Sequence, residues 1–410
     1  MYNYILYTIF NCTGVIVINE KMRELGAHRS TIRELFEYGK KRKSEIGEEN
    51  VFDFSLGNPS VPAPREVGDA LVRVITEESP ISVHGYTSAQ GDAAVRAAIS
   101  DYINQKHEER ISPDCIYMTV GAAAALTSAI TAVVCPDDEV IVLTPYFPEY
   151  KVFIERCGAK VVEVATKESD FTPDIKRIAA AINEKTAAII INSPNNPTGA
   201  VYSAEDIAAL TRLLKEKEEE LQHPIFLISD EPYRELVYGS ADVPYLTKYY
   251  EDTIVCYSYS KSLSIPGERI GYALVNPRMK NFTAVYHAVC GAGRALGYVC
   301  APSLLQKIIP QCLGITSDVS VYDENRSLLY SELTSYGYEV VKPQGAFYLF
   351  VKSPSDDGSE FSERAKRYEL LIVASEDFGC PGYARISYCV KTEMIKRALP
   401  AFKKLIESYK

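Results

Sequence analysis

The chain has 410 residues, 47% hydrophobic and 24% charged, with a formal net charge of -10 and ten cysteines. That is long enough for two or three domains with buried cores, too apolar for a disordered chain, and too acidic for phosphate-backbone binding as a main role. The cysteines form no C-x-x-C pair and no Cys/His cluster at zinc spacing, which points to neither a disulfide framework nor a metal site and fits a reduced cytoplasm.

Residues 1–21 include an apolar stretch from Ile5 to Ile18, interrupted by Asn11, Thr13 and Gly14 and preceded by no Lys or Arg. It makes a poor signal peptide and a poor membrane span, and reads as an arm or as sequence ahead of a natural start at Met22. Residues 29–42 read as a charged amphipathic helix, and 51–56 as a short strand ending at Gly57-Asn58-Pro59. From about Gly91, helices alternate with apolar β-branched runs at 116–120, 139–144, 160–164, 187–192, 225–229, 253–257 and 271–275. This alternation predicts an α/β fold, with crossover helices flanking a mostly parallel sheet buried on both faces. Past Ala301, a long helix through 325–334 and runs at 338–341, 346–351 and 384–388 predict helices on a small sheet. Residues 301–410 are therefore expected to form a smaller α+β domain, and 61–300 a large one.

In open α/β sheets, ligands sit outside the carboxyl ends of the strands. Asn196, Asp230 and Lys261 each follow such an end. Lys261 lies in Ser258-Tyr259-Ser260-Lys261, followed by Pro266-Gly267-Glu268-Arg269-Ile270-Gly271-Tyr272. Lysine is the side chain able to form a Schiff base with an aldehyde, once it has lost a proton; taken alone, Lys261 is one solvated lysine among many. Asp230 ends an apolar strand, where an ionised carboxylate needs a strong partner. Asp230-Glu231-Pro232 also reads as a helix start, so capping competes with ligand binding. Ser193-Pro194-Asn195-Asn196-Pro197-Thr198-Gly199 has the composition of a turn after a buried strand, and Ser203 with Asp206 reads as a capping box. Gly121-Ala122-Ala123 opens a small-residue helix whose N–H groups can face a phosphate; a tight strand-to-helix turn explains it equally well.

Taken together, and in this order, these motifs resemble the class I and II aminotransferases, pyridoxal-phosphate-dependent enzymes of fold type I similar to aspartate aminotransferase. The resemblance spans about 51–388 and implies a large domain with a seven-stranded sheet, plus the smaller one, which residues 22–60 join by packing on 301–410. It implies that Lys261 carries pyridoxal 5'-phosphate and moves the substrate proton, and that Asp230 pairs with the pyridine nitrogen, keeping the ring an electron acceptor. Tyr233 and Asn196 would hydrogen-bond the ring's 3′ oxygen. Gly121, Ala122, Ala123, Ser258 and Arg269 would hold the phosphate, and Phe147 would stack on the ring. Tyr86 would reach the phosphate in the neighbouring subunit of a homodimer with shared active sites. Arg385 would take the substrate α-carboxylate, assisted by the backbone at Gly57 and Asn196. Gln344-Gly345-Ala346-Phe347-Tyr348 matches the family as a structural segment. Departures are the alanines at 122 and 123, where relatives often carry a hydroxyl or glycine, and Phe147 for the usual Trp in a chain with no Trp.

The implied activity is a cytoplasmic, ping-pong transfer of an amino group from an L-amino acid, aspartate or another and possibly aromatic, to a 2-oxo acid such as 2-oxoglutarate. No metal, nucleic acid or membrane partner is expected. The shared motifs fit a carbon–sulfur β-lyase as well. An amino-acid-sensing regulator would need a DNA-binding domain ahead of the fold, and the segment before Val51 is short for one.

Overall fold

The computed structural model describes residues 9–11, 14–16, 18–27 and 31–410. Within the expected arm, Ile9–Asn11 pairs antiparallel with Gly14–Ile16; its other residues up to 17 lie outside the described ones, as does the start of the helix expected at 29–42. That helix runs Thr31–Ile46 and buries little beyond Leu35 and Gly39. Leu35 packs with Val51, Leu371, Val373 and Phe378 in a small core of its own.

Each of the seven expected apolar runs forms a strand to within one residue at either end: β1 (Ile116–Thr119), β2 (Glu139–Thr144), β3 (Lys160–Ala165), β4 (Thr186–Asn192), β5 (Phe226–Asp230), β6 (Thr253–Ser258) and β7 (Gly271–Val275). They make one sheet in the order β1-β7-β6-β5-β4-β2-β3. β7 runs antiparallel to β1 and β6, and the other neighbours pair in parallel. Both faces are covered. Val140, Val142, Ala188 and Ile190 join one core, while Ile141, Leu143, Ile189 and Ile191 join another on the opposite face. Alternate side chains pointing to two dry faces explain why these strands read as continuous apolar runs.

The later residues build a second layer around β8 (Tyr348–Lys352), β9 (Val373–Ala374) and β10 (Tyr383–Ser387), in the order β8-β10-β9 and all antiparallel. Helices Val319–Tyr336, Gly358–Lys366 and Thr392–Glu407 pack here. Phe54 and Val61 share this core, as do Tyr233 and Leu236 from the loop after β5. The helix Ser303–Cys312 packs instead on the core beside the large sheet, through Leu305, Ile308 and Ile309.

Two expected strands are reduced. The run at 51–56 forms only Phe52–Asp53, paired in parallel with Leu370–Leu371; beyond it, Phe54 bridges two partners, its N–H donating to Leu371 O and its carbonyl accepting from Ser387 N. The run at 338–341 keeps a single bridge, Val340 with Val351. After Pro343, which has no N–H to donate, the N–H groups of Gln344 and Gly345 both turn to Gly199 O at 2.9 Å. Ala346 then takes φ +55, a left-handed conformation that delays β8 to Tyr348.

Candidate active site

The carboxyl ends of β4, β5 and β6 lie side by side, with Asn192 opposite Asp230 and Asp230 opposite Cys256. Above this edge is a cavity of about 280 Å³. Of the residues expected from the sequence, Gly57, Ala122, Ala123, Phe147, Asn196, Asp230, Tyr233, Ser258, Lys261, Arg269 and Arg385 line it. Gly121 sits immediately behind, in a φ +85 conformation and with its Cα face so near the Arg269 guanidinium that a Cβ would come within 2.8 Å of it. The positive φ favours glycine there. Tyr86 lies outside the cavity and is 99% exposed in the single chain.

Lys261 belongs to the short helix Tyr259–Ser262 that follows β6, where Ser258 caps by accepting from Ser260 N. Its Nζ donates to Gly57 O at 2.7 Å. Burial of the amine pushes its pKa down to about 8; the neighbouring guanidiniums of Arg269 and Arg385 act in the same direction, and Cys389 opposes them. A lysine so shifted is available as a neutral amine near physiological pH.

Asp230 is buried, and its Oδ2 accepts from Tyr150 Oη at 2.5 Å. Among the described residues its Oδ1 has no partner. Burial pushes the carboxyl up to about 7, against the lowering effect of the Tyr150 hydrogen bond and with a smaller upward push from Glu231. No helix follows it. Pro232–Glu235 is a turn, so Asp230 caps nothing, and the helix start suggested by Asp-Glu-Pro is not formed. The turn is held instead by a buried ion pair, Arg234 to Glu231 at 2.6 Å, with Ser229 Oγ donating to the other carboxylate oxygen at 2.7 Å.

Arg385 on β10 is also buried. It donates to Asn196 Oδ1 at 3.0 Å and to Ser55 O at 2.7 Å, leaves Nε unpaired, and meets no carboxylate among the described residues. Its guanidinium lies over the Tyr348 ring at 4.6 Å. A buried cation with a vacant donor accommodates a carboxylate. Asn196 is fixed twice, its N–H donating to Asn192 Oδ1 at 2.7 Å and its amide oxygen held by Arg385.

At the other end, the helix Ala122–Val133 starts with no side-chain cap. Ser258 Oγ lies 2.7 Å from Ser260 Oγ and the Arg269 guanidinium stands against Gly121 at the helix start; both side chains line the cavity. Open N–H groups at a helix start, hydroxyls and a guanidinium form a receptor for a phosphate dianion. With the unpaired Asp230 oxygen suited to a ring N–H and a depressed lysine for an aldehyde, the donor set fits pyridoxal phosphate. The capping box at Ser203 and Asp206 is present and stands apart from this site, as structure.

Four contributors escaped the sequence reading: Tyr150, Asn192, Ser260 and Tyr348. Asn192 and Ser260 carried a signal, since Asn192 is a polar end to an apolar strand like Asp230, and Ser260 repeats Ser258. Tyr150 and Tyr348 carried none; Tyr348 sits in the segment read as structural.

A sheet of this order with its ligand groups at the strand ends defines a fold type I architecture, and the comparisons agree. Residues 49–402 match the family model for aminotransferase class I and II. The chain is 31% identical to an aspartate/prephenate aminotransferase of Thermus thermophilus, covering 86% of this chain and 90% of that one. It is 30% identical to an aspartate aminotransferase of Thermotoga maritima, with 88% and 92% covered. A crystal structure of an aminotransferase from Eubacterium rectale matches with TM-score 0.94 and 54% identity over 96% of this chain and 99% of that one. The chain belongs to the class I and II aminotransferases, a pyridoxal-phosphate-dependent family.

Proposed function

We propose that this aminotransferase works by two alternating half-reactions, an amino acid leaving its amino group on the enzyme and a 2-oxo acid collecting it, with Lys261 as the proton carrier. The reading is carried by the convergence of a depressed lysine, a buried carboxylate oxygen with no partner among the described residues and a buried guanidinium with a vacant Nε on one cavity. Pyridoxal phosphate, when bound, supplies an electron sink for the carbanion left as the donor's Cα loses its proton. Asp230 holds the ring nitrogen's positive charge, and Tyr233 and Asn196 address the 3′ oxygen. Phe147 covers the ring face. Gly121, Ala122, Ala123, Ser258 and Arg269 bind the phosphate, and Ser260 supports Ser258. Arg385 orients the α-carboxylate with the backbone of Gly57 and Asn196 alongside, and Lys261 takes the proton from Cα and returns it.

The relatives' names support aspartate as a donor. The cations lining the described cavity are Lys261, Arg269 and Arg385, and the roles above engage all three. The second carboxylate of a dicarboxylic donor then draws its cation from outside this lining. Neutral and aromatic donors need none.

We further propose a homodimer in which Tyr86 of each subunit completes the other's phosphate site. Val72, Ile75, Ile81, Tyr86 and Val299 are large apolar side chains left exposed in the single chain, which supports an apolar interface. The division into a large part, 61–300, and a smaller one, 22–60 with 301–410, is proposed with the helix Ser303–Cys312 seated on the larger core. Among the described residues nine cysteines are unpaired thiols, which supports a reducing cytoplasm. No described helix is long and apolar enough to cross a membrane.

The test is borohydride reduction of the loaded enzyme followed by peptide mapping, with a panel of amino acids assayed for conversion of the bound cofactor to its pyridoxamine form. The label is expected on Lys261. A label on another lysine, or release of ammonia and pyruvate from cystathionine with no pyridoxamine formed, overturns the reading.

A further inference from the structure

Tyr348 lies in the segment read from sequence as structural, yet it lines the cavity. It is buried, and its Oη is 2.9 Å from the Oη of Tyr233. Among the described residues neither hydroxyl has another hydrogen-bond partner. The two rings meet edge to face at 5.8 Å, and Tyr233 meets Phe347 in the same way at 5.4 Å. The pair is therefore held by packing, and the one adjustable feature between the two oxygens is which phenol gives its proton.

A phenol has one proton to donate. If Tyr233 gave its proton to Tyr348, it would offer only lone pairs to the cavity. If Tyr348 gives its proton to Tyr233, the Tyr233 proton is left to point at a ligand. The Arg385 guanidinium over the Tyr348 ring decides between them: a cation on the ring face, 4.6 Å away, withdraws electron density and makes that phenol the better donor. Tyr348 is also closely seated, since a Cβ on Gly57 would fall 1.9 Å from its Oη.

We propose that Tyr348 is a positioning residue, a phenol that donates to Tyr233 and so directs the Tyr233 hydroxyl proton to the cofactor's 3′ oxygen. This rests on the function proposed above. Donation along a chain of hydroxyls strengthens each link, so Tyr233 becomes a better donor than an isolated tyrosine. A hydrogen bond to the 3′ oxygen stabilises its negative charge, and losing part of that bond favours the protonated form of the bound chromophore.

The experiment is a pH titration of the visible absorbance of the enzyme-bound pyridoxal phosphate in wild type, Tyr348→Phe, Tyr233→Phe and the double variant, with cofactor dissociation constants measured alongside. Tyr348→Phe removes one oxygen from a crowded position and keeps the ring beneath Arg385, so it adds no contact that threatens folding. Its titration midpoint is expected to rise by roughly half a pH unit, with a larger rise in Tyr233→Phe. The double variant should titrate like Tyr233→Phe alone, because Tyr348 acts through Tyr233. An unchanged midpoint in Tyr348→Phe, or equal increments with and without the Tyr233 hydroxyl, overturns the inference while leaving the aminotransferase reading intact. Failure of the wild type to bind pyridoxal phosphate overturns that reading instead.

Discussion

Replacing Asp230 by asparagine should stabilise the cofactor-free protein while removing its catalytic competence. Burial lifts the Asp230 carboxyl from 3.8 to about 7, so the folded protein binds this proton more tightly than the unfolded chain does. That favourable contribution is complete below about pH 4 and is lost as the pH rises through 7. A shift of roughly three units, at about 1.36 kcal/mol each, sets a ceiling of about 4 kcal/mol for the cost of the buried charge at pH 8. At pH 5 about 2 kcal/mol of this is already present, so the advantage of Asp230→Asn should grow by roughly 2–3 kcal/mol between pH 5 and pH 8. Asparagine is neutral at both values and still accepts from Tyr150. Urea denaturation of the cofactor-free proteins at a fixed protomer concentration measures the difference. Adding pyridoxal phosphate should reverse the order at pH 8, because only the carboxylate can hold the ring nitrogen's charge. Equal stabilities of the two cofactor-free proteins at both pH values would refute the claim that Asp230 carries an uncompensated buried charge.

Other consequences follow from the same geometry. The rate at which the cofactor-free enzyme captures pyridoxal phosphate should rise with pH through about 8 and then level, as Lys261 loses its proton; stopped-flow absorbance reads it, and a rise centred near the lysine's ordinary 10.5 contradicts the burial argument. Arg385→Lys should weaken amino and 2-oxo acids alike by roughly 2–5 kcal/mol, since an ammonium cannot reproduce the guanidinium fork. Cofactor occupancy should remain as in wild type, and loss of the cofactor would assign this arginine another role. Gly57→Ala drives a methyl group into the Tyr348 hydroxyl and should cost about 1–3 kcal/mol of stability by overpacking. A thermal melt matching wild type would show that Tyr348 has room to retreat.

Much of this protein is written locally. The seven strands of the large sheet are continuous apolar runs because both faces are dry, and a run of that kind is visible without knowing its neighbours. A charged or polar residue closing such a run, as at Asp230, is conspicuous for the same reason, and Lys261 and Arg269 stand in a segment whose wording resembles a family. The weak strands were not legible, because 51–56 and 338–341 depend on how much pairing partner the fold brings to them. Nor was the absence of a helix after Asp230; tertiary packing supplies a buried ion pair, Arg234 to Glu231, that holds the following residues in a turn.

The contacts that make the site lie far apart in the chain. Tyr150 reaches Asp230 across 80 residues, Tyr348 reaches Tyr233 across 115, Arg385 reaches Asn196 across 189 and Lys261 reaches Gly57 across 204. Sequence periodicity reports which way a side chain faces and nothing of what it meets. The raised carboxyl, the lowered lysine and the vacant Nε of the Arg385 guanidinium are all consequences of burial, and burial exists only after the crossover connections have brought the strand ends and β10 together around one cavity.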